Sequence, residues 1–524
     1  MQPETILTLL IWLPLLAGLA MLFWPATNNG HRTAGLIVSA LVLLLSIVAW
    51  QRLGTDVWAF SRPWVPSAGI RYALMLDGVN IILVLLLGIT GWLGLAAANL
   101  DPRLASPRVT AGMLLAQAGM MGAALAQDAF LFYVFFELML LPVFLMIGIW
   151  GGEQRIKATL KFAVFTIAGS LLMFTALLYV VWRHHTAAGI WSFALSDLIG
   201  MHWGQAEGLW LLSAFIVAFG IKAPIFPLHG WLPDTYVEAP FPVTFILAAA
   251  MSKLGIYGLL RFALPLFPEA AHTALPVLMC LSALGIVYGG LLALVQTDAK
   301  RLVAYASFSH LGLIAFGLFS LEYQGIHGSL VHMLNHGLTT GGLFLVLGCV
   351  GLRLGSTEIS RMGGIAKGMP LLAATFLVIT FGSIGLPGLN GFVGEFLLLL
   401  GGFMAHNGLG LLAVTGVIIS AAYMLWFVQR AWFGPENPAL GKLPDMKGAE
   451  AAVLLPIVAL VIVLGLYPKP LLDASAPGVK WVMQYTTVST KAAHRTGVDA
   501  AHSTAANTGP DTAGAIKPLP GGNL

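Results

Sequence analysis

The sequence predicts an all-α polytopic membrane protein of about 14 transmembrane helices, on three observations. Of 524 residues only 9% are Asp, Glu, Lys or Arg, against roughly 25% in an ordinary soluble domain. Apolar residues make up 58%, and mean hydropathy is +0.88. The apolar runs are continuous, as in 36–50 and 81–100, where barrel strands would alternate. So few charges cannot solvate several globular domains. The two cysteines, Cys280 and Cys349, sit in apolar runs and form no CxxC motif. An iron–sulfur cluster needs about four cysteine ligands, and no Gly-rich nucleotide loop is present. The chain is therefore expected to hold no cofactor and no metal. Its net charge of +4 is scattered over short loops, so no nucleic acid partner is expected.

Apolar stretches of ~17–25 residues bounded by charge, Gly or Pro mark the spans. They fall near 4–24, 33–50, 78–98, 110–126, 128–149, 159–182, 208–237, 240–262, 273–295, 302–321, 328–350, 370–404, 408–430 and 450–468. Met1–Leu10 has no Lys or Arg, and no small-residue cleavage site follows, so the first run reads as a retained span. Only Gln127 and Asp128 divide the fourth span from the fifth. The loop 51–77 is the longest outer connection. Its Trp58, Phe60, Trp64 and Tyr72 point to an interfacial hairpin or docking surface. Of 26 Lys and Arg, 14 follow odd-numbered spans and five follow even-numbered ones. Excess basic charge marks the cytoplasmic side, which places both termini outside.

This divides the chain into an N-terminal unit 1–109, a unit 110–262, a unit 273–430, a loop and last span 431–470, and a tail 471–524. The tail is expected to be polar, extracytoplasmic and mostly disordered. From about residue 486 it turns rich in Ala, Thr, Gly and His, and its His494 and His502 read as solvated.

Two spans are long and interrupted. One runs Phe219-Gly220-Ile221-Lys222-Ala223-Pro224 and on to His229. The other runs Phe381-Gly382 through Pro387 to Glu395. Proline removes a donor and clashes one turn back, so the freed carbonyls must find partners inside the protein or beside water. The breaks fall in spans 7 and 12. An odd offset of five inverts one unit relative to the other. Paired broken helices in inverted halves point to the ion path of a secondary transporter.

Four charges lie deep in spans: Glu137, Lys222, Lys253 and Glu395. A charge at the bilayer centre costs ~2.5–3.5 kcal/mol on insertion scales, so four of them call for a role. Desolvation opposes the charged form of each, and such groups can exchange protons near physiological pH. Glu137 and Lys222 read as a movable pair, Lys253 as a central relay site, and Glu395 as a terminal proton site. The alternative for each is a structural ion pair or a helix pin. His229, His310, His332 and His336 are further relay candidates, with satisfied packing histidines as the alternative. His332 and His336 share a helix face, but as metal ligands they lack companions in the sequence. Lys161, near the cytoplasmic end of its span, is expected to snorkel.

These residues resemble a known family. Phe136-Glu137-Leu138 with Pro142, Gly220-Ile221-Lys222-Ala223-Pro224 through Pro233, Glu238-Ala239-Pro240, Lys253 to Gly258, and Lys300 to His310 look like the antiporter-like subunits of respiratory complex I. The resemblance covers residues 1 to about 470. It implies 14 core helices with inverted five-helix repeats in helices 4–8 and 9–13, helices 7 and 12 being broken. Glu395 stands where two branches of the family carry lysine, so the chain resembles the M-type branch of a bacterial NADH:quinone oxidoreductase. The resemblance implies a non-redox membrane-arm subunit, with Glu137 and Lys222 as switch pair, Lys253 as central lysine and Glu395 as terminal site. It places NADH, FMN, iron–sulfur clusters and quinone in partner subunits, and implies neighbouring L and N subunits in a bacterial cytoplasmic (inner) membrane. A subunit of a multisubunit sodium/proton antiporter or of a membrane-bound hydrogenase is the alternative.

Overall fold

The structure, a computed structural model, describes residues 2–25, 29–438, 440–441 and 443–487. It opens with α1 (Pro3–Leu22) and α2 (Gly30–Leu53), followed by a hairpin of β1 (Trp58–Val65) and β2 (Ile70–Leu76). Then come α3 (Ile81–Ala98), α4 (Pro107–Leu125), α5 (Ala129–Trp150) and α6 (Arg155–Ala188). The first broken helix is α7 (Gln205–Lys222) with α8 (Leu232–Glu238). Next are α9 (Phe241–Leu266), α10 (Pro268–Leu294), α11 (Ala299–Phe319) and α12 (Tyr323–Leu354). The second broken helix is α13 (Pro370–Ser383) with α14 (Asn390–Ala405). The chain closes with α15 (Asn407–Trp432), α16 (Gly448–Leu466) and α17 (Lys469–Thr487).

Among the described residues, twelve helices are long and apolar enough to cross a membrane, and α13 and α14 are shorter apolar pieces. α4 falls outside that set because its Ala and Gly dilute its hydropathy. It is nonetheless buried along its length, except at Arg108 and Leu115. Small residues let its neighbours close in, as where Gly119 meets the Met139 backbone of α5. Each of the fourteen expected spans thus has a helical counterpart. The expected hairpin in 51–77 is present, and it forms the one sheet among the described residues. Its pairing is irregular at Pro63, a residue that cannot donate to a ladder.

The division between α4 and α5 rests on Asp128. Its carboxylate accepts from the backbone N–H groups of Phe130 and Leu131, both at 3.0 Å, capping α5. It also accepts from Arg71 N at 2.9 Å, which docks the hairpin.

Helices α3, α9 and α11 are almost wholly enclosed, whereas only about a third or less of α2, α15 and α16 is buried. The outer face of α6 presents Leu160, Val164, Ile167 and Leu171. Such a face is stable against lipid tails, which are as apolar as leucine.

The tail reading needs correction from 471 to 487. Leu471, Ser475, Val479 and Val482 are buried at helical spacing, so α17 lays one face on the bundle. His327 Nε2 on α12 lies 3.1 Å from Leu472 O and 3.0 Å from Ser475 Oγ. His272 Nε2 on α10 lies 2.8 Å from Thr486 O. A search for long apolar runs passes over this segment because its polar residues occupy the other face. The remainder of the tail, with His494 and His502, lies outside the described residues.

Candidate functional site

Both expected helix breaks are present, and each sets an ionisable residue at a backbone discontinuity. α7 stops at Lys222, and the Ile221 carbonyl freed by the break accepts from Trp231 Nε1 at 2.9 Å. The peptide between Phe226 and Pro227 is cis. In the second break, Gly385 and Gly388 adopt φ of +72° and +92°, a region open to glycine. Gly385 has a further role: the Glu395 carboxylate lies where its Cβ would be.

Lys222 is buried, and its Nζ has no hydrogen-bond partner. It rests 4.4 Å from the ring centroid of Phe136. Glu137, the next residue on α5, is half-buried. Its Oε1 is buried and unpartnered, with Lys222 close enough for its charge to act on the carboxylate.

Lys253 is fully buried at the middle of α9. The helix widens to π geometry over Leu247–Met251 and Leu259–Ala263, on either side of it. Such turns free backbone carbonyls and recur at functional sites. Here the Ala248 carbonyl accepts from Lys253 Nζ, and Ser252 Oγ lies 3.3 Å from the same amine. Gly255 of α9 presses on the backbone of Phe219 and Ala223 in α7 with no room for a Cβ. The two lysines therefore flank one helix crossing.

Beyond Lys253 come the histidines. Its charge bears on His310, His332 and His336. The His310 ring is 6.1 Å from that of His332 and 5.7 Å from that of His336. His310 Nδ1 lies 3.6 Å from Glu395 Oε1, and His310 Nε2 lies 3.3 Å from Ser420 Oγ. Ser420 in turn meets the Tyr423 hydroxyl at 3.2 Å. Both ring nitrogens of His332 and of His336 are buried without hydrogen-bond partners. A small cavity of about 10 Å³, room for about one water, is lined here by Ser309, His310, Glu395 and Ser420. His310, His332 and Glu395 offer ligand atoms within 4.8 Å of one another. The carboxylate companion missing from the sequence spacing is thus supplied by α14, and these three could bridge a cation.

His229 stands apart from this cluster. It is stacked 4.1 Å from Phe308, and its Nδ1 is buried without a partner. Lys161, expected to snorkel, is ion-paired: Nζ lies 2.8 Å from Asp234 Oδ2, and Arg301 Nη2 lies 2.9 Å from Asp234 Oδ1.

The tally of four deep charges also needs correction. Arg261, read as a span-end residue, is wholly buried in the second π turn of α9. Its Nη2 lies 2.5 Å from Asp77 Oδ1, and its guanidinium sits 4.6 Å from the Trp481 ring on α17. The i, i+4, i+8 spacing of Lys253, Tyr257 and Arg261 was the available signal, since it puts three polar groups on one helix face.

The fold and the site define a class: a multi-pass helical membrane protein with ionisable side chains held at broken helices along its interior. Residues 126–420 match the family described as NADH:quinone oxidoreductase/Mrp antiporter, transmembrane. The chain is 37% identical over 499 residues to NADH-quinone oxidoreductase subunit M of Rhodobacter capsulatus, covering 92% of this chain and 97% of that one. It superposes on a chain of respiratory complex I from Thermus thermophilus with bound NADH at a TM-score of 0.84, with 35% identity, 92% of this chain and 99% of that chain covered. A chain of the Mrp complex from Dietzia sp. shares the fold at a TM-score of 0.79 and 22% identity, over 93% of this chain and 100% of that chain. This chain belongs to the NADH-quinone oxidoreductase subunit M family. It is a membrane subunit of complex I and assembles with other subunits.

Proposed function

We propose that the chain carries protons across a bacterial cytoplasmic membrane, driven by NADH-to-quinone electron transfer in partner subunits. The single observation that carries this reading is the buried row from Lys222 through Lys253 and the His310–His332–His336 group to Glu395, with polar atoms left unpartnered along it. Unsatisfied buried polar groups cost stability, and a row of them is where water and protons would be accommodated. In this mechanism Glu137 tunes the hold on Lys222, Lys253 passes the proton on, and Glu395 releases it outward. His310, His332 and His336 bridge the last interval, and His229 lies on the approach to Lys222. The two broken-helix units act as inverted halves. Moving each charge costs about 2.3 kcal/mol per 100 mV, which partner subunits supply.

The chain itself carries no redox centre in this reading. FMN, iron–sulfur clusters and quinone belong to partner subunits, and L and N subunits flank it. Both termini face outward, on the excess of basic residues after odd-numbered spans. Sodium/proton antiport is the second reading, because the matched family includes Mrp antiporters.

The test is Glu137→Gln and Lys222→Met in reconstituted complex. NADH oxidation by a soluble acceptor should persist while quinone-coupled proton uptake is largely lost. Normal pumping by both variants would remove the switch-pair assignment. Sodium-dependent uptake in the wild type would favour the second reading.

A further inference from the structure

Lys222 and Glu137 do not meet in a hydrogen bond, since Lys222 Nζ and Glu137 Oε1 are both buried and unpartnered. The amine lies on the face of Phe136 instead, 4.4 Å from the ring centroid. A ring face attracts a cation and not a neutral amine, most strongly where water is excluded. The ring is firmly placed. Phe132 packs 5.2 Å from it, and Phe219 meets it edge-on at 5.8 Å and 86°. Phe132 in turn stacks 4.2 Å from Phe262 of α9. Three elements, α5, α7 and α9, thus hold the aromatic surface at the break where Lys222 sits. Glu137 of α5 is the charged group that bears on the amine, and α6 brings the uncharged Ser170 to that carboxylate.

We propose that the Phe136 face is a second seat for the Lys222 ammonium, alternating with Glu137, which makes Phe136 a positioning residue of the proton switch. This rests on the reading that Lys222 carries protons. The carboxylate seat holds the ammonium tightly. The ring seat keeps it charged but away from the carboxylate, ready to give its proton onward. The proton leaves Lys222 Nζ for a neutral Lys253 Nζ, directly or through water, so one ammonium is lost and one is gained. A neutral Lys222 amine then has no hold on the ring and is free to reload.

The test uses the assembled complex in proteoliposomes, with 4-fluoro-, 3,5-difluoro- and 3,4,5-trifluorophenylalanine placed at position 136. Fluorine drains the ring face of electron density with little change in shape, so a purely packing role would not respond. The alkaline limb of NADH-driven proton uptake should move stepwise to lower pH, by roughly 1 pH unit across the series. NADH oxidation by a soluble acceptor should not change. Phe136→Leu should behave like the trifluoro analogue. A pH profile that stays fixed across the series overturns the seat. If it stays fixed while Lys222→Met abolishes pumping, the seat alone fails. If Lys222→Met pumps normally, the proton reading fails with it.

Discussion

Asp77→Ala would strand Arg261 in the protein interior. The guanidinium is wholly buried, and its Nη2 makes a 2.5 Å contact with Asp77 Oδ1. Nε and Nη1 lack hydrogen-bond partners, and the Tyr257 hydroxyl that bears on the guanidinium is uncharged and cannot replace the carboxylate. Breaking a buried pair by removing one partner costs about 3–5 kcal/mol. Asp77 Oδ1 also accepts from Val79 N at 2.9 Å in the turn before α3, and losing that buried hydrogen bond adds roughly 1 kcal/mol. The single variant should therefore lose about 4–6 kcal/mol. Adding Arg261→Met removes the stranded cation, and the double variant should recover to within about 1–2 kcal/mol of wild type. The assay is denaturation of the assembled complex in detergent, with protease cleavage near Trp481 reporting release of α17. A loss under about 1 kcal/mol for Asp77→Ala would refute the reasoning. So would a double variant no more stable than the single one.

Two further outcomes follow from the geometry. Gly385→Ala should cost about 1–3 kcal/mol from positive φ, read as denaturation of the purified complex, and it should lower coupled proton uptake in proteoliposomes because the new methyl displaces the Glu395 carboxylate. Asp234 is shared by Lys161 at 2.8 Å and Arg301 at 2.9 Å; Asp234→Asn removes the charge that holds both and should cost about 1 kcal/mol, read as denaturation of the purified complex, and an unchanged transition would sink the assignment.

Much of the fold was legible because membrane insertion is dictated by composition along the chain. The two breaks were visible in Pro224, Pro227 and Pro387, since proline acts on its own helix. α4 was legible from its flanks more than from its composition, because Ala and Gly lower hydropathy while tightening packing. The helical part of the tail, 471–487, was missed because its apolar face is one-sided and lies against a bundle the sequence does not display. Arg261 was missed for a related reason. An arginine near a span end ordinarily snorkels to water; the spacing of Lys253, Tyr257 and Arg261 marks one polar helix face, but nothing in it names Asp77 as the partner. Lys222, Lys253 and Glu395 are buried within the protein. Glu137 turned out half-buried, because depth in a span does not fix which way a helix faces.

The scarcity of charge by itself determined a membrane protein, its number of crossings, and the few ionisable residues that must earn their place inside. Only tertiary structure decided which of these groups meet. Asp77 and Arg261 are 184 residues apart, and His310 and Ser420 are 110 apart. Lys222 faces a ring on a different helix. Each pairing depends on the rotation of one helix about its axis relative to another, which packing of small residues such as Gly255 and Gly394 fixes. A linear pattern gives the depth of a residue in the membrane, but the azimuth that turns depth into contact comes from its neighbours.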